Sequence, residues 1–139
     1  MTRIVFISTN ANRAKEIESA RIAPQTSVTL LVADGRGRRA IGNVDVIDVG
    51  TTHWSPWRTR LESTVVGRTF LRASPLDSGA QLWRLVRRSA EADDCLRAAD
   101  IVVATTRDAI LTAWKITRRE PTTIGLNGLG AGLVAVKSP

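Results

Sequence analysis

At 139 residues the chain suits one domain that buries roughly two thirds of its unfolded surface. A hydrophobic fraction of 43% and a charged fraction of 24% fit a soluble globular protein. No apolar run approaches the roughly 20 residues of a membrane span, and the opening MTRIVFISTN lacks the apolar core and cleavage site of a secretory signal. The expectation is a cytoplasmic protein with no membrane span.

A single cysteine, Cys95, excludes an internal disulfide, and with one histidine, His53, it cannot assemble a Cys/His zinc site within one chain. No metal and no cofactor are expected. Cys95 lies among acids in AEADDCLRAAD, which raise a thiol pKa, so it reads as a buried, inert residue. The formal charge of +7 can mark a polyanionic partner. Only Lys15, Lys115 and Lys137 of the 20 basic residues are lysine, as the arginine bias of a GC-rich genome would give. The densest runs, Arg36-Gly37-Arg38-Arg39 and Arg84-Leu85-Val86-Arg87-Arg88, have no interleaved aromatic residues of the kind base stacking needs. This argues against nucleic acid as the partner.

In chain order, the apolar run Ile4-Val5-Phe6-Ile7 predicts a central buried strand. Ser8-Thr9-Asn10 is a polar turn, and Ala14, Ile17 and Ala20 predict a helix from Ala11 to Arg21, stopped by Pro24. Val28 to Ala33 is a second strand, DGRGRR a flexible basic loop, and Val44 to Val49 a third strand that its aspartates place at an edge. Residues 51–78 read as loop and short helix. Asp77-Ser78 caps a helix carrying Leu82, Trp83, Leu85 and Val86, and Asp94 to Ala99 continues it. Asp100 to Ala104 is a fourth strand. A helix capped by Thr106 runs to about Arg119 and buries Ile110, Ala113 and Trp114. Thr122 to Leu126 is a fifth strand. The glycine cluster in GLNGLGAG reads as a turn and a close-packed helix start, followed by an apolar tail.

This alternation predicts an α/β class: a single Rossmann-like domain over residues 1–139, with a mostly parallel five-stranded sheet (order 3-2-1-4-5) and helices on both faces. Ligands of such sheets bind beyond the carboxyl ends of the strands where the order reverses. That point lies between strands one and four. Its loops make Ser8, Thr9, Asn10, Thr105, Thr106 and Arg107 candidate ligand-binding residues, with helix N-termini able to hold a small anionic ligand. The same residue types also serve simply as caps. The first turn, STNANR, has no glycine, which argues against a Rossmann dinucleotide site. Asp93-Asp94 reads as a solvated linker, and Trp83 and Trp114 as packing residues. In TTHWSPWR, His53 is the candidate catalytic base, being the side chain that titrates near neutral pH unperturbed.

The second half, GAQLWRLVRRSAEADDCLRAADIVVATTRDAILTAWKITRREPTTIGLNGL, together with RIVFISTN, resembles the N-terminal half of bacterial GT-B fold glycosyltransferases. The resemblance implies an acceptor-side, glycosyltransferase-like fold without the donor-binding half, so at most a partial enzyme that needs a partner chain to supply a second domain. The alternative is a small non-enzymatic Rossmann-like module that binds a ligand or protein, or a basic nucleic-acid-binding protein. The apolar tail GLVAVKSP leads to the expectation of a homodimer.

Overall fold

Ile4-Val5-Phe6-Ile7 is apolar at every position, so neither side of an extended segment there can face water. In the computed structural model, which describes residues 1–51, 63–67, 69 and 77–137, this run lies in β1 (Thr2–Ser8), at the centre of a sheet. The other strands are β2 (Thr26–Val32), β3 (Arg39–Ile41), β4 (Val44–Asp48), β5 (Ile101–Ala104) and β6 (Ile124–Asn127). The helices are α1 (Arg13–Glu18), α2 (Ser78–Arg88), α3 (Ala90–Arg97), α4 (Ala109–Arg119) and α5 (Leu129–Lys137).

The sheet order is β3-β4-β2-β1-β5-β6, and every pair is parallel except the β3–β4 hairpin. The fold is α/β and Rossmann-like, and its parallel strands stand in the order expected. The sixth strand is the difference. The loop expected over DGRGRR ends in a strand: Arg39, its last residue, with Ala40 and Ile41 pairs antiparallel with β4 through a turn at Gly42, whose φ is +56°. β4 is therefore not an edge strand, and Asp45 forms an ion pair with Arg38 at 2.8 Å beside the hairpin.

Both faces of β1 are buried because its side chains alternate between two cores. Val5 and Ile7 pack with Leu82, Val86, Leu96 and Ile116 from α2, α3 and α4. Ile4 and Phe6 pack with Ala14, Ile17 and Val136 from α1 and α5.

Three helices differ from expectation. α1 is shorter than residues 11–21, and the Ser19 hydroxyl donates to the Glu16 carbonyl at its end, competing with helix continuation. α3 starts earlier, at Ala90, because Ser89 accepts from the Ala92 N–H as its cap. α4 starts at Ala109 rather than just after Thr106, and buries Ala109, Thr112, Ala113 and Ile116. That stripe turns Trp114 outward to 51% exposure and Ile110 to 42%, so Trp114 is not a core residue. Asp77 does cap α2, accepting from the N–H groups of Gly79 and Ala80.

The apolar tail expected to be exposed is α5, and it packs on its own sheet. Gly128, at φ +95°, makes the turn, and Gly132 sits beneath the helix. A Cβ at Gly132 would lie 2.5 Å from the Phe6 ring and 2.7 Å from Val103. Gly132→Val should therefore destabilise the fold by about 1–3 kcal/mol through overpacking, read from the urea midpoint, while Ala131→Val at the exposed neighbouring position leaves most of the stability intact.

Candidate functional site

The carboxyl edge of the sheet is where the strand order reverses, between β1 and β5. The loops that follow them are tied together. The Thr105 amide and hydroxyl both donate to the Ile7 carbonyl, at 3.0 and 2.9 Å. The Ser8 hydroxyl is fully buried, accepts from the Asn10 N–H and donates to the Asn10 carbonyl. The Asn10 side chain accepts from the Asn12 N–H at 3.0 Å. The structure thus brings the six ligand-binding candidates to one rim, but Ser8 and Thr105 hold the rim together.

Thr9 is half-buried, and Asn10 and Arg107 are exposed on that rim. Thr106 does not act as the expected cap. Its hydroxyl oxygen is buried and has no partner among the described residues, and the same holds for Thr112, one turn into α4. A buried hydroxyl without a partner costs free energy. Asp108 occupies the N-cap position of α4 without a side-chain cap bond. It accepts a hydrogen bond from the Ser78 hydroxyl at the start of α2, which joins two helix N-termini at the crevice. The rim therefore combines one cation, amide and hydroxyl groups, and two carboxylates at helix starts. His53 lies outside the described residues.

Further along the same edge, the basic loop is ordered around one carboxylate, which sequence reasoning missed. Asp48 Oδ1 accepts from the N–H groups of Asp34, Gly35 and Gly50, and Oδ2 from Gly37 at 2.8 Å. Gly35 and Gly37 adopt φ of +70° and +76°, which aims consecutive amides inward. The paired glycines in DGRGRR were the available signal. Asp34 ion-pairs with Arg39 at 2.6 Å.

Asp93 is not a solvated linker residue. With 13% of its side chain exposed, it ion-pairs with Arg87 of α2, Arg97 of α3 and Arg119 of α4. Burial opposes its ionisation, but Arg119 and Arg97 hold its carboxyl below the usual range. Cys95 is partly exposed, and burial, ahead of Asp45 and Glu91, pushes its thiol pKa up. It borders a hollow of about 200 Å³ beneath α3, at the opposite edge of the sheet from the crevice. Among the described residues no three His, Cys, Asp or Glu side chains come together to hold a metal, and no helix is long and apolar enough to cross a membrane.

The chain is thus an α/β Rossmann-like protein with a polar rim at the reversal point. No protein-family model and no curated protein matches it. Among solved structures, a sucrose-phosphate synthase from Thermosynechococcus elongatus aligns at 14% identity over 98% of this chain and 94% of that one, with a TM-score of 0.30. The likeness is coarse and carries no functional assignment.

Burial also opposes ionisation of Asp48, but the N–H groups of Gly37, Gly50, Gly35 and Asp34 outweigh it and lower its pKa. Asp48 thus adds stability above the ordinary aspartate value of about 3.9, lost as the pH falls through the lower native value. Asp48→Asn should cost about 1–3 kcal/mol at neutral pH and shrink the loss of stability on acidification, measured by denaturant unfolding across the acid range. An unchanged acid limb would assign that titration elsewhere.

Proposed function

We propose that the chain is an acceptor-side domain of the GT-B glycosyltransferase type, inactive alone, that binds a small hydroxyl-rich anion such as a sugar phosphate in the reversal-point crevice. The observation that carries this is the composition of the rim. Arg107 and Asn10 are exposed in the two loops of the rim, and Asp108, which accepts from Ser78, begins α4 beside Arg107. Arg107 suits a phosphate oxygen, and the amide, hydroxyl and carboxylate groups suit sugar hydroxyls. The carboxylates at the starts of α2 and α4 oppose a diphosphate, whose charge is larger. The first turn offers no glycine to bring backbone close to a pyrophosphate.

A second domain from a partner chain completes the cleft in this proposal. His53 follows β4 in sequence and is the proposed base of the assembled centre. The resemblance of RIVFISTN and ADIVVATTRDAILTAW to the GT-B N-terminal half supports the assignment.

Thermal unfolding with glucose 6-phosphate, UDP, GDP and NAD tests it. Glucose 6-phosphate should raise the unfolding temperature in a concentration-dependent way, as binding to the native state requires. The nucleotides should leave it unchanged. Arg107→Ala should abolish the shift. A shift with UDP or NAD and none with the sugar phosphate would replace this proposal with a nucleotide site.

A further inference from the structure

The basic runs of the sequence have no aromatic residues within them, and that was the reason for setting nucleic acid aside. In the fold, Trp83 and Trp114, which directly precede Arg84 and Lys115, come to lie beside the cations. α2 and α4 lie side by side with their N-termini together, joined by Ser78 to Asp108 at one end and by Trp83 to Lys115 further along. Their sequences, SGAQLWRLVRR and AILTAWKITRR, contain no acidic residue. Between them they carry Arg84, Arg87, Arg88, Lys115, Arg118 and Arg119. α1 holds Glu16 and Glu18, and α3 holds Glu91, Asp93 and Asp94, while α5 has no acid and a single cation, Lys137.

On this face cations and indoles alternate. Arg87 and Lys115 lie over the Trp83 ring at 5.7 and 5.4 Å, and Arg118 lies over Trp114 at 5.0 Å. Such contacts fix ring orientation and keep the cations beside the rings. Arg87 and Arg119 are neutralised by Asp93. Arg88, Lys115 and Arg118 have no carboxylate partner among the described residues.

Trp114 also borders a groove of about 200 Å³ at the sheet edge, lined by Ile110, Ala113, Thr117, Gly125, Leu126 and Asn127. Thr117 and Gly125 pack so closely that a Cβ on Gly125 would meet Thr117 at 2.8 Å. The absent side chain leaves the groove floor flat. Asn127, exposed at the groove end, offers both a donor and an acceptor.

We propose that the α2–α4 face binds single-stranded nucleic acid, seating a base against Trp114 in the groove and its phosphates on Lys115, Arg118 and Arg88. The charge of the face calls for a polyanion. Ring faces bordered by cations, with a flat-floored groove alongside, match an unpaired base better than a lipid surface, which takes protruding apolar side chains. A duplex is excluded because its bases are not free to stack on protein.

Fluorescence anisotropy with labelled oligouridylate and oligothymidylate of about 16 nucleotides, the upper range of single-strand sites, tests the proposal on the full chain. Binding should weaken with salt, with a slope near −2 for about three phosphate contacts. Trp114→Ala should weaken it roughly tenfold or more, and Trp114→Phe should retain most of it. Lys115→Glu and Arg118→Glu should each reduce affinity and salt slope. Trp114 is half exposed, so its variants keep the fold, checked by their unfolding temperatures. No salt-dependent binding, or binding indifferent to Trp114→Ala, would overturn the proposal. Tighter binding to phosphatidylserine vesicles than to the oligonucleotides, lost in Trp114→Ala, would also overturn it and assign the face to a lipid surface.

Discussion

Burial of β1 on both sides is the constraint from which the rest follows. Ile4, Val5, Phe6 and Ile7 each expose 2% of their surface or less. A strand with no solvated side needs a helical layer above and below it, and parallel neighbours so that the connecting helices can supply those layers. α1 leaves β1 and returns the chain to β2 over one face. The long connection holding α2 and α3 returns it to β5 over the other. The chain therefore runs outward from β1 in one direction and then in the other, and the crevice lies where the two directions part. Gly132 extends the same constraint: α5 approaches Phe6 and Val103 so closely that no larger side chain fits.

The parallel order was legible because central strands of such sheets are continuous apolar runs, and four of them stand out by eye. β3 was not legible. Arg39-Ala40-Ile41 is too short to show a period and follows two glycines, which read as loop. Its pairing depends on Gly42 turning the chain and on Val44 and Val46 lying opposite. Helix boundaries slipped for a related reason. The buried stripe of α4 includes Thr112, a polar residue, so the apolar pattern alone placed Trp114 inward by about one position.

The crevice was legible in position but not in role. Ser8, Asn10 and Thr105 are turn formers by residue type, and no local rule says that Thr105 will reach back to Ile7, 98 residues away. The two carboxylate hubs share this character. Asp48 collects amides from a loop 11 to 14 residues before it as well as from Gly50, and Asp93 collects guanidinium groups from three helices. Each replaces water around a carboxylate with fixed donors, and each lowers its own pKa against the effect of burial. They are structural, and they consume charges that a count along the sequence would assign to a surface.

That consumption gives the net charge its direction. Arg38 goes to Asp45 and Glu91, Arg39 to Asp34, and Arg87, Arg97 and Arg119 to Asp93. The acids that neutralise them are Asp34 in the loop after β2, Asp45 on β4, and Glu91 and Asp93 on α3, whereas α2 and α4 have none. On α2 and α4 this leaves Arg88, Lys115 and Arg118 without a carboxylate partner among the described residues, while Arg3, Lys15, Arg21, Arg36, Arg107 and Lys137 stay dispersed over the rest of the fold. α4 belongs to both regions. Its first turn borders the crevice through Asp108, and its last turns present Lys115 and Arg118. The hydrogen bond from Ser78 to Asp108 joins α2 and α4 at the rim end of that pair.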